Sequence, residues 1–283
     1  MEIASTAIRK PLLTIRASKG FAALNLPEVW QFRELFGGLA YRDVKLRYRQ
    51  TALGVIWVIL QPLLAAGIFT FVFGKVAKLP SDGPYPYFVF SYAGLLAWNA
   101  FSSTLTKASG CLVGNANLVS KVYFPRLILP LSIVPSSLVD FAVASVLMAV
   151  LMVKWQVFAG IVPLLLLPVW LFILMILALG VGLYAAALMV SYRDVQFILP
   201  VMVQLLLYGT PIAYSLSSVP LVWQKYCLLN PLTELLAAFR WSLLGSALPD
   251  LKWLAYSVVV SVAAFVWGAM AFKRMERRFA DVI

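Results

Sequence analysis

Between Arg42 and Pro62 the chain changes character abruptly. Arg42, Lys45, Arg47 and Arg49 fall within eight residues, and from Ala52 to Phe73 the sequence is apolar apart from Gln61. A cationic cluster running into about 20 apolar residues is the pattern of a helix entering a bilayer from the cytoplasmic side. A basic surface loop ahead of a buried core helix could look the same once. Five further long apolar runs follow, which favours the membrane reading.

Composition agrees. Hydrophobic residues make up 63% of the 283 and charged residues only 12%, against about a quarter charged in a soluble domain. The formal charge of +12 could point to nucleic acid. Here the cations sit beside apolar runs, where they answer to lipid headgroups and topology instead. The first 50 residues hold no apolar core long enough for a secretory signal, so the first span is expected to act as its own insertion signal. Histidine is absent, and the two cysteines, Cys111 and Cys227, are expected on opposite sides of the membrane. A transition-metal site or a His-based catalytic centre is therefore not expected.

Residues 1–27 mix basic and small residues and read as an N-terminal cytoplasmic tail. Asn25-Leu-Pro-Glu28 predicts a helix start, with a cap, a first-turn proline and a carboxylate three residues on. Val29, Phe32, Phe36 and Leu39 then recur at helical spacing, with Arg33, Glu34, Arg42 and Asp43 mostly elsewhere. This predicts an amphipathic helix in the cytoplasmic interface, or one packed on a protein partner. Spans are predicted at about 51–74, 86–108, 127–153, 162–190, 195–213 and 252–272. Gln61-Pro62 should kink the first span, either to line a pathway or for packing. Asp140 lies in the third span and should have a partner there, since an unpaired acid in a bilayer is costly. A structural hydrogen bond fits it better than a proton relay. Residues 214–250 are broken by Pro220, Asn230-Pro231 and Gly245 and are too fragmented to cross, which predicts short re-entrant or interfacial helices on the outside. This topology places 17 of the 23 Lys and Arg on the inner side, as an arrangement with both termini cytoplasmic requires.

No G-x-x-x-x-G-K-[ST] or strand-linked G-x-G-x-x-G motif is present, so ATP binding by those routes is excluded. Four blocks do carry a likeness: RDVKLRYRQTALGVIWVILQPLL, AGLLAWNAFSSTLTKAS, VGNANLVSKVYFPRLILPLS and NPLTELLAAFRWSLLG. In this order they resemble the permease subunit of ABC type-2 exporters, in the branch that exports lipid-linked polysaccharide (O-antigen, teichoic acid or capsule). The likeness runs from about residue 28 to the end, marking 28–283 as the transmembrane domain.

The resemblance implies an all-α membrane protein with six transmembrane helices, an N-terminal amphipathic interface helix and short re-entrant outer helices before the last span. It implies a homodimer in the bacterial cytoplasmic (inner) membrane with two copies of a cytoplasmic ATPase, which would hold the ATP and Mg. No cofactor is expected in this chain, and no nucleic-acid partner. Gly114, Asn115, Asn117, Leu118, Val119, Lys121, Tyr123, Phe124, Pro125 and Arg126 match the block that docks on the ATPase. Glu28, Phe32, Phe36, Arg42 and Asp43 match the interface helix. Asn230, Pro231, Glu234 and Arg240 match the outer helices. Aromatic faces let sugars slide by stacking, so Trp57, Phe69, Phe73, Tyr208 and Tyr214, with Gln61, are candidates to line a pathway. The same rings could instead serve as interfacial belts. Three other functions stay open at this stage. One is an ABC type-2 exporter of a small amphiphile or drug. The others are a membrane-embedded glycosyl or acyl transferase, for which no paired carboxylates are evident, and a passive channel.

Overall fold

A computed structural model describes residues 26–49, 54–276 and 279. The tail predicted over 1–27 and the cap at Asn25 lie almost wholly outside these residues, as does the side chain of Glu28. The described residues are helical, without strands.

The chain opens with α1 (Leu26–Gln31) and α2 (Arg33–Arg49). They meet at a turn where the Phe32 N–H bonds the Val29 carbonyl at 3.2 Å. α3 (Gly54–Phe69) runs through Pro62 and passes directly into a π-helical segment, Thr70–Val76. α4 spans Tyr87–Gly114 and is followed by the short α5 (Ala116–Lys121). α6 (Ile128–Leu131) and α7 (Ile133–Lys154) are separated at Ser132. α8 covers Ile161–Ser191 and α9 covers Val195–Gly209. The short α10 (Leu221–Leu229) and α11 (Pro231–Leu244) precede α12 (Leu251–Glu276).

By length and composition, four segments among the described residues can cross a membrane: Ile56–Val76, Ile128–Lys154, Ile161–Ser191 and Leu251–Glu276. α4 is as long, at 28 residues, but more polar. Its environment explains the difference. α4 lies at the centre, packed by α3, α7, α8 and α11, and is buried along most of its length from Val89 to Leu112. A helix wrapped in protein needs no lipid-compatible surface, so Ser91, Thr104 and Ser109 are tolerated there, Thr104 and Ser109 by bonding their own helix's carbonyls. α9 has only 15 residues, or about 22 Å at 1.5 Å per residue, shorter than the roughly 30 Å hydrocarbon core. It ends four residues before the predicted limit of its span.

Lipid tails are as apolar as leucine, so spans associate by close packing. α8 and α12 show this best. Gly180 and Gly268 face each other so closely that a Cβ on Gly268 would overlap the Gly180 carbonyl. Ser257, Ser261 and Ala269 on α12 are also fully buried.

The buried side chains form two main clusters. One surrounds α4, α8 and α11 and includes Phe90, Tyr92, Leu174, Leu235 and Phe239. The other joins α2 to the ends of α4, α8 and α12 and includes Leu39, Leu112, Val119, Phe124, Ile128, Leu183 and Phe272. Val29, Phe32 and Phe36 pack against this second cluster. The apolar positions of the predicted amphipathic helix are thus turned onto protein, while Trp30 and Tyr41 are exposed.

Candidate functional site

The first concentration of chemistry lies where the basic stretch meets the bundle. Asp140 on α7 is 8% exposed and receives donors from two other helices. Arg47 of α2 places Nε 2.7 Å from Oδ1, and Tyr48 donates its hydroxyl to the same oxygen at 2.6 Å. Lys107 of α4 places Nζ 2.9 Å from Oδ2 and 3.3 Å from the Ser136 hydroxyl. Burial, together with the bond to Asp140, holds the Tyr48 phenol well above its usual range. The sequence required a partner for Asp140. It did not reveal that two of the three partners, Arg47 and Tyr48, come from the cluster preceding the first span, Tyr48 lying 92 residues away. The recurrence of basic residues in that cluster was the available signal.

Beside this junction lies a cavity of about 390 Å³ lined by Arg42, Arg47, Lys107, Asn115, Ser132 and Ser136, among others. Arg42 pairs with its neighbour Asp43 at 2.9 Å and donates to Asn115 Oδ1 at 3.0 Å. Asn115 in turn donates to the Cys111 carbonyl at 2.8 Å. Two interface-helix candidates, Arg42 and Asp43, are therefore brought to one coupling candidate, Asn115.

The predicted coupling block divides in two. Gly114 ends α4, and Asn117, Leu118, Val119 and Lys121 lie on α5. Gly114, Asn117, Lys121 and Tyr123 are exposed, whereas Val119, Phe124 and Pro125 are buried. Buried anchors hold an exposed turn. Arg126 faces the end of α12. Its backbone N–H donates to Glu276 Oε1 at 3.3 Å, and its guanidinium donates to the Glu276 carbonyl.

The second concentration lies at the opposite end of α4. Arg240 on α11 is 5% exposed. It donates to the Pro211 carbonyl at 3.0 Å and to the Ile212 carbonyl, just past the end of α9, while its guanidinium carbon lies 3.9 Å from the Phe90 ring centroid. Gly94 makes this possible, since a Cβ there would overlap the guanidinium. Burial pulls the Arg240 pKa down to about 10, so the group stays charged near neutrality. Asn230 caps α11 by accepting from the Leu232 N–H at 3.1 Å and reaches Thr210 Oγ1 at 2.8 Å; Pro231 follows as the first helical residue. Glu234 is 4% exposed, and its Oε2 has no hydrogen-bond partner among the described residues. Burial, with Asp250 nearby, pushes its pKa up to about 7. Asp82 accepts from the Ser215 and Ser217 hydroxyls, joining the 79–86 loop to the same end of the bundle.

The pathway candidates do not form one set. Trp57 and Gln61 are exposed on α3 one turn apart, and Tyr208 is exposed on α9. Phe69 and Phe73 are half-buried and meet edge to face at 5.7 Å, with Phe69 packed against the core around α4. Tyr214 donates to the Tyr208 carbonyl at 3.2 Å. Both cysteines are free. Among the described residues no group of His, Cys, Asp and Glu could hold a metal.

Comparison with known proteins bears on this arrangement. Residues 34–244 match the family described as ABC-2 type transporter. The chain is 30% identical over 264 residues to an O-antigen export system permease protein, RfbA, of Myxococcus xanthus, covering 90% of this chain and 98% of that protein. It is 26% identical over 250 residues to the RfbA permease of Klebsiella pneumoniae, covering 86% and 92%. It is 24% identical over 244 residues to the polysialic acid transport protein KpsM of Escherichia coli, covering 84% and 92%. With the match covering most of its length, the chain belongs to the ABC-2 type transporter family.

Proposed function

We propose that this chain is the transmembrane subunit of an ATP-driven exporter that moves a lipid-linked polysaccharide out across the bacterial cytoplasmic membrane. The observation that carries this reading is the near full-length similarity to O-antigen export permeases, joined to a bundle with no nucleotide motif of its own. ATP and Mg are held by a separate cytoplasmic ATPase, two copies of which dock on two copies of this chain.

Six crossings fit the helices best. They are the four long apolar segments, the central α4, and α9 extended by the residues that Arg240 secures. Both termini then lie in the cytoplasm. The turn from Gly114 to Arg126 meets the ATPase, and α2 lies at the inner interface. The exposed stripe of Trp57 and Gln61, with Tyr208, faces the pathway or the second copy. Phe69 supports that stripe from behind. The outer helices carrying Asn230, Pro231, Glu234 and Arg240 form a cap near the exit.

The chain's own residues supply mechanical coupling and a surface, rather than chemistry. A push on the α5 turn is passed to α2 through Arg42 and Asn115, and from α2 to α7 and α4 through Asp140.

The test is reconstitution with its ATPase in proteoliposomes. ATP-dependent transfer of a lipid-linked glycan is expected, with no transfer by the permease alone. Transfer without the ATPase, or failure to form a complex with it, contradicts the proposal.

A further inference from the structure

We infer that Arg126 is a positioning residue that splices the coupling turn to the inner end of α12, so that displacing the turn moves two spans, α7 and α12. This rests on the coupling role proposed for residues 114–126.

Three features of Arg126 converge on Glu276 and Phe279. Its backbone N–H is 3.3 Å from Glu276 Oε1. Its guanidinium donates to the Glu276 carbonyl. The same group lies 5.8 Å from the Phe279 ring centroid. Arg126 thus ties α12 to a segment 150 residues away. The Glu276 carboxylate is fixed in turn by Lys273 at 2.6 Å.

This is not an exposed ion pair of negligible strength. Phe279 is 1% exposed, meets Phe272 edge to face at 5.4 Å, and shares its apolar cluster with Val119, Phe124 and Leu127. The turn and the end of α12 therefore occupy one packed unit.

The covalent route from the turn leads through α6 to α7 and is interrupted at Ser132. The spliced route has no such break. α12 is continuous from Leu251 to Glu276 and is locked to α8 by the contact of Gly180 with Gly268. α11, with Glu234 and Arg240, packs on both α8 and α12. A rigid pair of helices thus joins the inner turn to the outer cap.

The experiment is a double-mutant cycle in the reconstituted complex with its ATPase, using Arg126→Ala, Phe279→Ala and both together. Export is normalised to intact complex, and ATP hydrolysis is followed in parallel. Coupling free energies between sites change equilibrium affinities by roughly 5–150-fold, which sets the scale expected here. Each single variant is expected to lower export by about tenfold while ATP is still hydrolysed, and the double variant to be no worse than the worse single one. Phe279→Tyr, which keeps the ring, should restore export. Additive losses, single variants that export like the wild type, or a Phe279→Tyr as defective as Phe279→Ala would each overturn the inference. A wild-type chain that neither binds the ATPase nor exports overturns the proposed function instead.

Discussion

Asp140 shows how one buried charge can organise a region. Its two oxygens take donors from Arg47, Tyr48 and Lys107, so two helices are held on a third. Removing the carboxylate strands two cations and a hydroxyl. Arg47 is 40% exposed and can turn to water, whereas Lys107 is less free to do so. Asp140→Ala is therefore expected to destabilise the purified protein by about 1–3 kcal/mol, read as a lower unfolding temperature in detergent. Asp140→Asn, which keeps an acceptor for Tyr48, should cost less. An equal loss for both variants would mean that the hydrogen bonds count for little beside the charge.

Glu234 gives a prediction of opposite kind. Its pKa rises from 4.5 to about 7 in the folded chain, first through burial and then through Asp250. The folded state therefore holds this proton more tightly than the unfolded state. Its contribution to stability falls as pH rises from about 4.5 through about 7, because ionising a buried, partly unpartnered carboxylate is unfavourable. Glu234→Gln removes the titration. The unfolding temperature of the variant should vary less with pH across that window than that of the wild type. Parallel profiles would rule this account out. The sequence called for a partner to Asp140 without naming it, and the burial of Glu234 could not be read there.

Among the elements, α8 and α12 depend on absent side chains. Gly268→Ala puts a methyl into the Gly180 carbonyl, and overpacking of this kind costs typically about 1–3 kcal/mol. The variant should unfold at a lower temperature. Gly37→Ala on α2, where a Cβ meets nothing within 4 Å, is the matched control and should not. The elements also show which sequence signals carry. Long apolar runs located α3, α8 and α12, because helices facing lipid must be apolar along their length. The second span was placed at 86–108, but α4 continues to Gly114. Its polar inner end is sheltered by protein and carries no hydropathy signal. The single run at 127–153 contains an irregular turn at Ser132, where Pro135 has no N–H to donate to the Leu131 carbonyl.

At the scale of the whole molecule, the family and the all-helical architecture were legible from four ordered blocks and the distribution of cations. The links between inner and outer ends were not. Arg42 with Asn115, Arg126 with Glu276 and Arg240 with Pro211 are contacts between distant segments, and nothing in periodicity announces them. They make the turn at 114–126, the central α4 and α11 parts of one packed body. The pathway aromatics were only partly separable in sequence, because exposed Trp57 and half-buried Phe69 look alike as residues in one apolar run.

The central claim is that this chain moves its cargo only when a separate ATPase acts on the turn at 114–126. The most direct measurement compares glycan transfer into proteoliposomes holding the permease alone, the permease with its ATPase, and the same complex carrying Asn117→Cys and Lys121→Cys blocked by a bulky thiol reagent. Transfer confined to the unblocked complex with ATP is the predicted result. Transfer by the permease alone, or undiminished transfer after the turn is blocked, would contradict the claim.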